Sequence, residues 1–105
     1  MDTLARLEST IADRRSALPE DSYVAKLLAR GTPVIARKVG EESVEAIVAA
    51  LSGTRQELVG EAADVLFHLL VLLAAKDIPL DDVLAELDRR EGTSGLAEKA
   101  ARSAP

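Results

Sequence analysis

Lys38-Val39-Gly40-Glu41-Glu42-Ser43-Val44-Glu45, a link at Ser52-Gly53-Thr54, and Glu61-Ala62-Ala63-Asp64-Val65-Leu66-Phe67-His68 read as the two arms of one hairpin. Counted outward from Gly53, Glu45 and Glu61 stand equally far away, as do Glu42 and Asp64, and Lys38 and His68. If both arms are helices folded back on each other, equal distance from the turn sets roughly equal height. Three polar levels then face one another: acid over acid twice, and lysine over histidine. Facing helices of a bundle build sites in this way, and so many carboxylates need a cation to hold them together.

On a helical wheel Lys38, Glu41, Glu42 and Glu45 share an arc of about 100°. Ile35, Val39, Val44 and Val48 flank it. On the second arm Glu57, Glu61, Asp64 and His68 share a narrow arc edged by Phe67, Val71 and Leu72. The acids thus form a polar seam within otherwise apolar helices. An exposed stripe of like charge is the plain alternative, since it opposes a helix by only about 0.2–0.5 kcal/mol per pair. Two acid pairs matched in height and walled by Val and Leu instead require protons or a metal. Oxygen donors alone point to Mg2+ or Mn2+ rather than zinc.

The remaining chain supplies helices around this pair. Residues 3–17 show helical spacing at Leu4, Leu7 and Ile11, with Asp2 or Thr3 as the cap. Leu18-Pro19 breaks the run. Ser22 caps a short helix, Tyr23 to Arg30, that ends at Gly31 and turns Tyr23, Leu27 and Leu28 inward. Thr32-Pro33 opens the first hairpin arm, with the threonine hydroxyl as cap and proline in the first turn. Gly40 inside that arm costs roughly 1 kcal/mol against alanine, which implies close approach by a neighbouring backbone or a ligand. Thr54 and Glu57 form a capping box for the second arm, which runs to about Lys76. Its half from Val65 to Ala75 is apolar on every side except at His68, so it must be buried. A chain this small can hardly cover it alone, which predicts a homodimer or a dimer of dimers. After Asp77-Ile78-Pro79 a fifth helix starts with Asp81 and Asp82 in its first turn and turns Val83, Leu84 and Leu87 inward. It ends near Arg89, Arg90 and Gly92. The tail, about 93–105, reads as partly flexible, with a helical turn around Leu96 to Arg102. The expectation is therefore all-α: one domain over 1–105, a four- to five-helix bundle with a central antiparallel αα-hairpin, completed by dimerisation.

Composition narrows the function. The 105 residues carry a net charge of −5, which weighs against a nucleic-acid partner. There is no cysteine, which excludes disulfides and thiolate chemistry. No cationic start precedes an apolar run, and Val65 to Ala75 is short for a bilayer span, so a cytoplasmic location without a membrane partner is expected. No Walker-type glycine loop is present. Carboxylate-held cations let an acidic protein handle a polyphosphate, polarising a phosphoryl oxygen and activating water. A spare carboxylate can orient that water. Lys38 either pairs with Glu41 or Glu42 or reaches a substrate phosphate. His68 reads as a satisfied core histidine or a substrate contact, and Tyr23 as a core residue with a wet hydroxyl or a substrate contact. Arg30, Arg37, Arg89, Lys99 and Arg102 are candidate readers of further substrate groups, or solvated surface charges.

Glu41-Glu42-x-x-Glu45 followed by Glu61-x-x-Asp64 resembles the signature of the all-α nucleotide pyrophosphohydrolases, the MazG-like group. Ser22-Tyr23-Val24, Leu27, Gly31, Ile35, Lys38-Val39-Gly40-Glu41-Glu42, His68-Leu69-Leu70-Val71-Leu72-Leu73 and Gly92-Thr93-Ser94-Gly95-Leu96-x-Glu98-Lys99 resemble the phosphoribosyl-ATP pyrophosphatase family of histidine biosynthesis. The similarity covers about residues 4–102. It implies Mg2+-dependent hydrolysis of the α–β phosphoanhydride of phosphoribosyl-ATP to phosphoribosyl-AMP and pyrophosphate by a dimeric enzyme. By the same resemblance Glu42, Glu45, Glu61 and Asp64 are metal ligands, Glu41 is a further ligand or the group that orients water, and Lys38 contacts phosphate. The alternatives are a house-cleaning nucleoside triphosphate pyrophosphatase with the same site, and a non-enzymatic helical dimerisation or metal-binding module.

Overall fold

The computed structural model describes residues 2–92 and 94–103, and they contain helices and turns without a strand. The order is α1 (Thr3–Asp13), a 3-10 turn (Arg14–Ser16), α2 (Tyr23–Arg30), α3 (Thr32–Ser52), α4 (Arg55–Ala75), α5 (Leu80–Arg90) and α6 (Gly95–Ser103). The all-α expectation holds, with six helices among the described residues rather than four or five. The sixth is the helical turn foreseen in the tail, lengthened to nine residues. For positions 93, 104 and 105 the expected tail flexibility lies outside the described residues.

Local chemistry explains most boundaries. Asp2 accepts from the Ala5 N–H at 2.8 Å and starts α1. Beyond Asp13 the expected continuation to residue 17 tightens into a 3-10 turn before Leu18-Pro19. Ser22 accepts from the Ala25 N–H and starts α2. Gly31, at φ +95°, ends α2 and is itself the cap of α3. No loop residue is left between the two helices, so Thr32 lies inside α3 and its hydroxyl does not cap, contrary to the sequence expectation. Thr54 and Glu57 close both bonds of the capping box that opens α4.

α3 and α4 pack along one another as an antiparallel hairpin, and α1 and α2 lie across the end remote from its turn. Ile11, Val24, Leu27, Ile35, Leu70, Val71 and Leu80 form the core there, with Phe67 and Leu72 against it. Tyr23 does not join them. Val24, Ala25 and Leu27 take the inner face of α2, and Tyr23 is about half-exposed at its edge. An Arg15 guanidinium N–H donates to the Ala74 carbonyl and pairs with Asp77, tying the 3-10 turn to the end of α4.

α5 behaves differently from expectation. Leu80 is buried and its N–H donates to Glu8 Oε2 at 2.6 Å, but Leu84 and Leu87 are exposed. Among the described residues α5 makes its closest approach to the bundle at its start, and Leu80 is its one buried residue. Toward the hairpin turn the arms are bare: Val44, Ile47, Val48, Val59 and Leu66 are exposed, and Leu51 is 82% exposed. The uncovered apolar surface thus extends well beyond the stretch 65–75. Over its full length α4 is long and apolar enough to cross a membrane, which the shorter stretch was not. Here it is the central helix of the bundle, touching α1, α2 and α3 and carrying Glu61, Asp64 and His68.

Candidate metal centre

Midway along the hairpin, where covered and bare halves meet, Glu42 and Glu45 of α3 face Glu61 of α4. One carboxylate oxygen from each lies within 4.8 Å of the others. Glu42 is only 8% exposed, Glu61 is partly buried and Glu45 is exposed. Glu42 Oε2 and Glu61 Oε2 are buried and have no hydrogen-bond partner in the protein. An ionised oxygen in that position has given up water and received nothing. Like charges about 4 Å apart also repel by about 4 kcal/mol at an effective dielectric constant of about 20. The donor set therefore fits a hard divalent cation, which meets the orphaned oxygens and offsets the repulsion together.

Asp64, expected opposite Glu42, is not in this group, and its side chain is exposed. Equal height along the hairpin does not by itself bring two side chains together. Its main-chain carbonyl instead accepts from His68 Nδ1 at 2.7 Å.

Lys38 lies at the next level. Its Nζ is 3.6 Å from Glu42 Oε1 and 3.5 Å from Glu41 Oε2, so Glu42 gives one oxygen to lysine and keeps the other for the cluster. Tyr23, once its phenol ionises, and then the carboxylates of Glu41 and Glu42 raise the Lys38 pKa, while burial opposes them. The ammonium is thus charged throughout the neutral range. Glu41 is exposed and has a second partner in Arg37 at 3.6 Å, on the solvent side of α3. Buried His68 holds the Tyr23 hydroxyl at 2.8 Å through Nε2.

On the other side of the cluster, toward the turn, a cleft of about 300 Å³ is lined by Val44, Glu45, Val48, Ala49, Ser52 and Glu61, with Glu57 at its far end. Its apolar walls were legible only as flanks of the acidic arc. The Tyr23–His68 bond has no sequence signal at all, because 45 residues separate its ends. Of the other arginines considered as substrate readers, Arg89 is committed to Glu86 within α5. Its guanidinium, with that of Arg90, holds the Glu86 carboxyl down at about 2.

A fold with no strand among the described residues, whose central hairpin gathers carboxylates between its arms with a lysine at the next level, is that of an all-α protein with an acidic cluster. The chain belongs to the phosphoribosyl-ATP pyrophosphohydrolase family, whose profile matches residues 4–91. It is similar to proteins named phosphoribosyl-ATP pyrophosphatase from several bacteria. That of Novosphingobium aromaticivorans is 67% identical over 102 residues, spanning 97% of this chain and 95% of the relative. That of Rhizorhabdus wittichii is 67% identical over 95% of this chain and 94% of the relative. That of Erythrobacter litoralis is 65% identical over 97% and 98%.

Proposed function

We propose that the chain hydrolyses the α–β phosphoanhydride of phosphoribosyl-ATP to phosphoribosyl-AMP and pyrophosphate, the second step of histidine biosynthesis, with Mg2+ as its metal and Mn2+ as a possible substitute. The observation that carries the reading is the pair of buried, unpartnered oxygens on Glu42 and Glu61 beside Glu45. A cation that arrives with a polyphosphate would supply what such a cluster lacks. Glu42, Glu45 and Glu61 would hold Mg2+, with Asp64 the fourth candidate donor. The ion would supply Lewis acidity at the phosphates and a lower pKa for water.

The chain's own groups do the rest. Lys38, held by Glu42, offers its ammonium to the phosphates beside the acidic cluster. Glu41, exposed and shared between Lys38 and Arg37, would turn to the attacking water. In hydrolysis the water oxygen bonds to one phosphorus of the α–β bridge and the bridging P–O bond on that phosphorus breaks. The bridging oxygen leaves on the other phosphate, and the water proton passes to the Glu41 carboxylate.

A second copy of the chain, in a dimer or a dimer of dimers, would cover the bare face of Val44, Ile47, Val48 and Leu51. The acidic, mixed-charge composition suits a cytoplasmic protein working on a small nucleotide, away from membranes and nucleic acids. The test is Mg2+-dependent release of pyrophosphate from phosphoribosyl-ATP, beside dCTP and dUTP, with light scattering on the same sample. Faster turnover of the free triphosphates, or release of phosphate instead of pyrophosphate, overturns the substrate. Metal binding without any turnover overturns the enzyme, and a monomer at all concentrations overturns the assembly.

A further inference from the structure

The chain contains one tyrosine, one phenylalanine, one histidine and no tryptophan. All three rings sit together beside Lys38. Tyr23 stacks on Phe67 with centroids 6.1 Å apart, and both rings meet the His68 imidazole edge-on. A protein so sparing with aromatic groups has gathered every one of them on the Lys38 side of its acidic cluster, with Tyr23 close enough to act on the Lys38 charge.

For a neutral imidazole the hydrogen bonds there admit one arrangement of protons. The Asp64 main-chain carbonyl can only accept, so His68 Nδ1, at 2.7 Å, carries the hydrogen. In the neutral imidazole the other nitrogen is then an acceptor. The Tyr23 hydroxyl, 2.8 Å from Nε2, must donate to it. This is the reverse of the tautomer that histidine favours in water. His68 is 5% exposed and Tyr23 48% exposed, so a buried group holds the proton of a group that opens to solvent. With that proton committed, the phenol oxygen can only accept from any further partner.

We propose that Tyr23 is a substrate-binding residue whose oxygen accepts a hydrogen bond from a donor on the substrate, and that His68 is its positioning residue. This rests on the hydrolase reading above. The donor's chemical class follows from the level at which Tyr23 stands. Lys38 holds phosphates there, and the donors nearest a nucleotide's phosphates are the hydroxyls of its sugars. An acceptor-only oxygen also disfavours a phosphate, which is mostly ionised at neutral pH and has few protons to give. The aromatic cluster thus sorts the substrate, phosphate to lysine and sugar to tyrosine.

Two measurements test the pair. His68 is the only histidine, so its nitrogen-15 resonances in the full-length free protein need no assignment by mutation. The expected result is a protonated Nδ1 and a bare Nε2, and a protonated Nε2 overturns the proposal whether or not the chain is active. Steady-state kinetics with phosphoribosyl-ATP and Mg2+ then compare Tyr23→Phe, His68→Phe and the double variant. Each single change is expected to raise KM about ten-fold, or about 1.4 kcal/mol, with kcat within about two-fold. The double variant should be no worse than either, because both remove one interaction. Unchanged KM in Tyr23→Phe, additive losses, or a fall in kcat alone overturns the proposal. A wild-type chain that releases no pyrophosphate would instead sink the hydrolase reading, leaving the tautomer to decide the pair.

Discussion

The two ends of the hairpin are made of the same kinds of residue and have opposite fates. At the end remote from the turn, α1 and α2 cover Ile35, Leu70 and Val71, and the chain completes its own core. At the turn end Val44, Ile47, Val48 and Leu51 are as apolar and are left bare. The acidic cluster sits on the boundary between them. One side is covered enough to strip water from Glu42 and Glu61, and the other is open enough to admit an ion and a nucleotide. The site thus depends on the packing of this chain stopping halfway along its central helices.

The strongest way to break this contrast is to shorten one isoleucine at each end. Ile35 is fully buried, so Ile35→Ala should cost about 2–5 kcal/mol of stability. Ile47 is exposed, so Ile47→Ala should change the isolated chain by no more than about 0.5 kcal/mol. Urea unfolding across a range of protein concentrations checks both. The Ile47→Ala cost should grow with concentration if a second copy covers that face, and the Ile35→Ala cost should not. Equal costs at every concentration would mean that the two ends are not different.

The boundary itself is tested by the carboxylates. Glu61→Gln should lower turnover by on the order of 100-fold or more and should leave the metal-free fold as stable or firmer, since it removes one of three crowded charges. Asp64→Asn should lower turnover by less, because that side chain stands outside the cluster. Turnover and Mg2+ affinity, the latter by calorimetry, are the readouts. A larger loss at Asp64 than at Glu61 would mean that the carboxylates regroup when the metal binds.

Much of this was legible before any coordinates, and the residues show why. The caps at Asp2, Ser22 and Thr54 and the stop at Gly31 act over three or four residues, within reach of sequence reasoning. The acidic seam was legible because a hairpin turn relates its arms by simple counting from Gly53. Counting gives height along the pair and not where a side chain ends up, so Asp64 was placed level with Glu42 although it stands aside from the cluster. The inward faces assigned to Tyr23, Leu84 and Leu87 failed for another reason. Periodicity finds the apolar face of a helix, but only the tertiary arrangement decides whether anything lies against it.

Gly40 gives the smallest and sharpest test. A glycine within α3 implied a close neighbour, yet a Cβ built there meets nothing within 4 Å. The position is exposed and its backbone is helical, so alanine fits the free chain without strain. Gly40→Ala should therefore stabilise the chain by about 1 kcal/mol, through the entropy that glycine loses on folding. Urea unfolding of dilute protein reads that gain. If turnover is unchanged, nothing that binds uses the space beside Gly40. If stability rises while KM for the nucleotide also rises, the missing side chain leaves room for substrate next to Glu41. If the gain is absent in dilute protein, the open space beside Gly40 would have to be given up.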